Sequence, residues 1–212
     1  MRLRNVKNAH EILEQSNYVI KNPKELKGSF KTIFNNTNPI RLEIGMGKGQ
    51  FIINMAKKYP NINFIGLELD VNQTATAVKN TSGTKLDNLK MICADANNII
   101  DYFGKEIDTL YLTFSEPWPK KQDEKKRFTS LNYLKLYDRV FKKNKHIILK
   151  TDNKILFQSG LESLSSYWYT FDVVSLDLHN DERNIKNVMT DFEMQYYKEH
   201  RQIYYLDASF KN

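Results

Sequence analysis

Ile40-Arg41-Leu42-Glu43-Ile44-Gly45-Met46-Gly47-Lys48-Gly49-Gln50-Phe51 decides how the rest of the chain is read. Ile40–Ile44 has the apolar character of a short strand. It runs straight into a glycine loop that opens a helix. Glycines there allow a tight turn and let a ligand approach the backbone closely. A glycine loop after a strand is weak evidence alone, because dinucleotide enzymes use the related pattern G-x-G-x-x-G. Here the spacing is G-x-G-x-G, through Gly45, Gly47 and Gly49, and the acid Glu43 stands two residues before it. A neighbouring carboxylate repels a pyrophosphate but welcomes a ligand with a cationic amino-acid tail. S-adenosylmethionine is such a ligand: it carries a sulfonium and an α-ammonium and no phosphate.

Outward from this loop, short apolar strands alternate with amphipathic helices. Helices are expected at 51–58, 71–79, 98–103, 131–141 and 155–164, and strands at 63–69, 89–93, 109–114 and 146–149. That alternation implies a parallel, doubly wound sheet. The end of the chain differs, with strands expected at 171–178 and 202–206 and a helix at 192–200 between them. The expected architecture is a mostly parallel sheet finished by a strand pair at one edge. Before the first strand, a helix is expected over 9–20, and Pro23, Gly28 and Asn35-Asn36-Thr37-Asn38-Pro39 then punctuate the chain. The 212 residues read as one domain with a short helical lead-in of about 1–38.

A hydrophobic content of 41% with 27% charged residues places the chain among ordinary globular proteins. No apolar run is long enough for a membrane span. The start, Met1-Arg2-Leu3-Arg4, is basic but is followed by polar residues, so it does not read as a signal peptide. Cys93 is the single cysteine, which excludes a disulfide within the chain and points to a reducing cytoplasm. A net charge of +7 is compatible with a nucleic-acid partner without requiring one. Distribution says more: Lys120, Lys121, Lys125, Lys126 and Arg127 outnumber Asp123 and Glu124 within one tract. Such a tract reads either as an RNA-facing surface or as a plain solvated face.

Three further acids stand at strand ends. Glu68 ends the second strand, where an acid accepts hydrogen bonds from ribose hydroxyls. Asp95 follows the third and suits an adenine amino group. Glu116 follows the fourth, inside Phe114-Ser115-Glu116-Pro117-Trp118-Pro119-Lys120-Lys121. Each proline restricts the residue before it to extended geometry, so Glu116 and Trp118 are expected to be extended. The loop reads equally as a rigid grip for a flat base and as a turn whose Trp packs on the core. Any one of these acids reads also as a helix cap; four in register with a glycine loop read as a cofactor site.

These residues together resemble the bacterial tRNA (guanine-N7)-methyltransferase family. The resemblance runs through Leu42-Glu43-Ile44-Gly45, Gly47-Lys48-Gly49 and Asn63-Phe64-Ile65-Gly66-Leu67-Glu68. It continues through Pro117-Trp118-Pro119-Lys120-Lys121, Lys150-Thr151-Asp152-Asn153, Asp177-Leu178-His179-Asn180 and Thr190-Asp191-Phe192-Glu193. It implies a Rossmann-like class I methyltransferase with a mostly parallel seven-stranded sheet. The implied reaction transfers a methyl group from S-adenosylmethionine to N7 of a guanosine in the tRNA variable loop, tRNA position 46. Glu43, Gly45, Gly47, Gly49, Glu68, Asp95 and Glu116 are then the cofactor residues, with Glu116 also catalytic. Lys120, Asp152, Thr190, Asp191, Phe192 and Glu193 are the substrate residues. Lys121, Lys125, Lys126 and Arg127 meet the RNA backbone.

This chain departs from the family pattern at Glu116, where the family has Asp, and at Gln122-Asp123, where it is usually basic. It departs also at Asp191-Phe192, where the family has Glu-Tyr.

Guanine N7 carries its own in-plane lone pair, so the reaction needs alignment rather than a general base. Asp152 and Glu193 are the candidates to accept from guanine N1–H and the N2 amino group, with Thr190 in support. His179 has no accompanying His or Cys cluster, so no metal site is expected. The alternative readings are an exocyclic-amine nucleic-acid methyltransferase, a nicotinamide oxidoreductase, and an RNA-binding methyltransferase-fold protein with reduced or lost catalysis. The expected protein is cytoplasmic, a monomer or small homo-oligomer.

Overall fold

The computed structural model describes residues 5–182 and 187–210. Seven strands form one sheet: β1 Ile40–Ile44, β2 Asn63–Glu68, β3 Leu89–Cys93, β4 Ile107–Thr113, β5 Lys145–Thr151, β6 Thr170–Ser175 and β7 Tyr204–Phe210. Their order is β3-β2-β1-β4-β5-β7-β6. β1 to β5 pair in parallel, and β7 alone runs against its neighbours. β7 slots between β5 and β6, so the expected terminal strand pair exists with the last strand inserted inward. The central strands are buried on both faces, which explains their near-continuous apolar sequence. β6, at the edge, alternates exposed and half-buried residues.

The main helices are α1 Ala9–Gln15, α2 Phe30–Phe34, α3 Gln50–Lys58, α4 Val71–Asn80, α5 Ile99–Tyr102, α6 Leu131–Val140, α7 Lys154–Ser166 and α8 Asp191–Lys198. Two apolar clusters divide them. One gathers Phe30, Phe34, Ile99, Tyr102, Tyr137, Val140 and Leu164, from α2 and α5 to α7. The other gathers Ala9, Leu13, Phe51, Ile52, Met55, Ala75 and Ala77, from α1, α3 and α4. Helices on both faces of a parallel sheet leave the carboxyl ends of β1 to β4 as the open edge where such folds bind ligands.

The lead-in helix is shorter than its apolar spacing predicts. α1 stops at Gln15, and Val19 instead forms a parallel bridge with Met91 on β3. Met91 N–H donates to Tyr18 O at 2.8 Å and Ile20 N–H to Met91 O at 2.9 Å. The apolar pair Val19 and Ile20 thus extends the edge of the sheet rather than continuing a helix. No helix among the described residues is long and apolar enough to cross a membrane.

Candidate active site

The glycine loop has the shape its sequence requires. Gly45, Gly47 and Gly49 have φ of +74°, +54° and +73°, a region costly to residues with a Cβ. A Cβ at Gly66 of β2 would sit 2.2 Å from Met46 Sδ, so that glycine lets the loop lie against the neighbouring strand. Glu68 staples the two together. Its Oε2 accepts from Gly47 N–H at 2.9 Å and its Oε1 from Asp70 N–H at 3.0 Å. Asp95 caps the turn after β3, accepting from Asn97 N–H at 2.8 Å.

Two adjoining cavities open over this edge. The larger, of about 650 Å³, is walled by Gly45, Glu68, Asp95, Glu116, Trp118 and the aromatic pair Phe128 and Tyr133. The smaller, of about 210 Å³, is walled by Glu43, Gly47, Thr113, Phe114, Thr190 and Phe192. Gly45, Gln73 and Phe114 belong to both. Glu43 lies beneath the smaller cavity, only 1% exposed. Oε1 accepts from the Thr113 hydroxyl, while Oε2 has no hydrogen-bond partner among the described residues. Burial pushes this carboxyl up to about 8; the Thr113 hydroxyl and the Lys150 ammonium oppose the shift. A buried carboxyl with one oxygen unpartnered, in the lining of a cavity, fits a cationic ligand group and disfavours a phosphate.

The loop after β4 is held differently from expectation. Trp118 is not extended: its φ is +43°, and Phe114 has +50°. Non-glycine residues in this region carry strain of roughly 1–3 kcal/mol each, sustained when the surroundings over-determine them. At Trp118, Arg127 supplies that constraint. Its Nε donates to Pro117 O at 3.1 Å and its Nη2 to Trp118 O at 3.0 Å, with Nη1 3.3 Å from Glu124. Arg127 is 4% exposed. It therefore leaves the set expected at the RNA backbone, because its donors are spent on the loop's own carbonyls. Lys126 Nζ lies 4.6 Å from the centre of the Trp118 ring and 2.8 Å from Asp123. Lys125 and Lys126 both wall the larger cavity, so a change there touches the cofactor side as well. Lys120 and Lys121 are exposed and stand outside both cavities.

The expected guanine-side residues divide. Thr190 caps α8, its Oγ1 accepting from Glu193 N–H at 3.0 Å, and Phe192 is 44% exposed at the smaller cavity. The side chain of Asp191 lies outside the described residues. Asp152 lines neither cavity and pairs with Arg201 at 2.6 Å. Glu193 also departs from expectation. It is fully buried, with Oε2 on Lys150 and Oε1 on Asn187, so neither oxygen is offered to a base. His179, 3.4 Å from Glu193, packs on Tyr197 of α8. Sequence reasoning missed Lys150, Phe128 and Tyr133. Lys150 stands in the apolar run of β5, the one sign that it is buried. The rings of Phe128 and Tyr133 carry no signal of their own beyond following the basic tract.

Sheet order with a lone antiparallel β7, a glycine loop at the end of β1 and acids after β2, β3 and β4 define a class I methyltransferase. Residues 37–206 match the family model described as a putative methyltransferase. The chain is 42% identical over 212 residues to the tRNA (guanine-N(7)-)-methyltransferase of Pediococcus pentosaceus, covering 99% of this chain and all of that one. It belongs to the tRNA (guanine-N7-)-methyltransferase family.

Among solved structures, the 16S rRNA methyltransferase KamB shares the fold with a TM-score of 0.63 at 10% identity, over 87% of this chain and 94% of that one. So does a mutant 16S rRNA (adenine(1408)-N(1))-methyltransferase from Catenulisporales acidiphilia with the cosubstrate SAM. Its TM-score is 0.55 at 14% identity, over 90% of this chain and 92% of that one.

Proposed function

We propose that this protein transfers a methyl group from S-adenosylmethionine to N7 of a guanosine in tRNA, in the variable loop. Full-length identity of 42% to a protein named for that reaction carries the reading, and the two cavities give it a place to happen. The neighbour with SAM supports the donor, and the partnerless Oε2 of Glu43 supports a donor with a cationic tail. When bound, S-adenosylmethionine supplies an electrophilic methyl group on its sulfonium.

The residues then divide the work. Glu43, with Gly45, Gly47 and Gly49, would hold the amino-acid tail. Glu68 would hold the ribose and Asp95 the adenine amino group, with Phe128 and Tyr133 as the apolar wall. Glu116 stands at the mouth, where donor and base meet. Alignment is the main task, since N7 needs no deprotonation. The product ring is cationic, so carboxylates facing the guanine bind it more strongly as charge develops. Glu116, exposed in the wall of the larger cavity, is placed for that work, whereas Asp152 must first give up its Arg201 partner. Phe192 offers its ring to the base, and Lys120 and Lys121 meet the RNA backbone. A single sheet holding every strand among the described residues supports one domain, and a tRNA substrate supports a cytoplasmic location.

The test is transfer of labelled methyl from the donor to unmodified tRNA, followed by digestion to nucleosides. Label in 7-methylguanosine supports the reading. Label in an exocyclic methylamine, or binding of tRNA without transfer, would favour one of the alternatives.

A further inference from the structure

Lys150 is a buried lysine that the proposed reaction does not use. It sits near the end of β5 at 2% exposure, between the rings of Phe51 and Phe114, 5.1 and 5.8 Å from their centres. An ammonium has three donors. Here they reach Glu193 Oε2, Asn187 Oδ1 at 3.0 Å and Val188 O at 2.9 Å. All three acceptors come from one stretch of chain, 187–193. Glu193 returns a second tie by accepting from Asn187, and it lies beside His179.

We infer that Lys150 and Glu193 form a buried latch that docks residues 187–193 onto the sheet and thereby sets the position of Thr190 and Phe192 at the smaller cavity. Lys150 is on this view a positioning residue; it touches neither donor nor base. Residues 187–190 are neither helix nor strand. Among the described residues, Lys150 ties them to β5 by hydrogen bonds and Val188 packs against the second apolar cluster. Apolar packing tolerates sliding, whereas three directed bonds to one ammonium fix a register. A buried ion pair is a poor source of stability compared with an apolar pair of similar volume, so fixing position is the role left to it. Tyr196 of α8 packs on Phe114 at 5.8 Å, which continues the docked surface along the helix. The inference rests on the proposed reaction only for the identity of what Phe192 meets.

Lys150→Met with Glu193→Leu tests it, because an apolar pair keeps the fold while releasing the register. Amide exchange across 187–198, measured without RNA, should lose protection relative to wild type. With donor and tRNA present, kcat should fall on the order of 100-fold for a misplacement of about 1 Å. Glu193→Gln, a smaller change, should shift both readouts in the same direction. Unchanged protection in 187–198 in the double variant overturns the latch, and so does wild-type kcat. If protection is lost but the wild-type protein does not methylate tRNA, the latch stands and the proposed reaction alone fails.

Discussion

Glu43 is where a single residue shows most about the site. Its carboxyl ordinarily titrates near 4.5 and is pushed up to about 8, first by burial. Between those values the folded protein holds a proton that the unfolded chain has released. Stability therefore falls as pH rises through this window, at about 1.4 kcal/mol per unit from this group. Below about 4.5 the cost is absent. Glu43→Gln should melt close to wild type at pH 5 and increasingly above it toward pH 9, while losing affinity for S-adenosylmethionine. A melting difference that stays constant with pH would contradict the buried carboxyl. Glu116 is the other decisive residue. The family pattern has Asp there, and a glutamate reaches one methylene further. Phe114 and Trp118, on either side of it, have positive φ, so the backbone that carries this acid is held in an uncommon conformation. Glu116→Ala should nearly abolish methyl transfer, and Glu116→Asp should bring no large gain. A sharp rise for the Asp variant would mark the native site as impaired.

At the scale of elements, the basic tract divides by what each cation already does. Arg127 clamps the loop and Lys125 and Lys126 wall the larger cavity, so Lys120 and Lys121 test RNA contact most cleanly. Reversing both to Glu should weaken tRNA binding and flatten its salt dependence by roughly 0.7–0.9 in log–log slope per lost phosphate contact. Donor affinity should hold. An unchanged slope would make the tract a solvated face. The alternation of strands and helices was legible because buried parallel strands must be short and apolar. The glycine loop was legible because its conformation restricts the residue type. The end of α1 was not, since Val19 and Ile20 answer to Met91, more than 70 residues away in the chain. Nor was the fate of Arg127 or Glu193. A charged letter in a motif looks the same whether it meets a ligand or a buried partner, and only the fold brings Lys150 to Glu193.

For the whole molecule, the sheet gathers chemistry from distant parts of the chain onto one edge. The first four strands deliver Glu43, Glu68, Asp95 and Glu116, and α8, docked through β5, brings Thr190 and Phe192 to the same cavity system. Inserting β7 between β5 and β6 anchors α8 at that end, because Tyr196, Leu178 and Ile203 share a small apolar cluster with Phe114. The central claim is that this arrangement aligns a methyl donor with guanine N7 at one place in a tRNA. N7 methylation leaves a cationic ring that borohydride reduces and aniline then cleaves, so modification becomes a strand break. Unmodified tRNA should be incubated with donor and wild-type protein, then treated in this way and resolved by length. The account predicts a single donor-dependent break at a guanosine of the variable loop, absent with Glu116→Ala. No donor-dependent break, or breaks scattered across guanosines elsewhere in the tRNA, would contradict it.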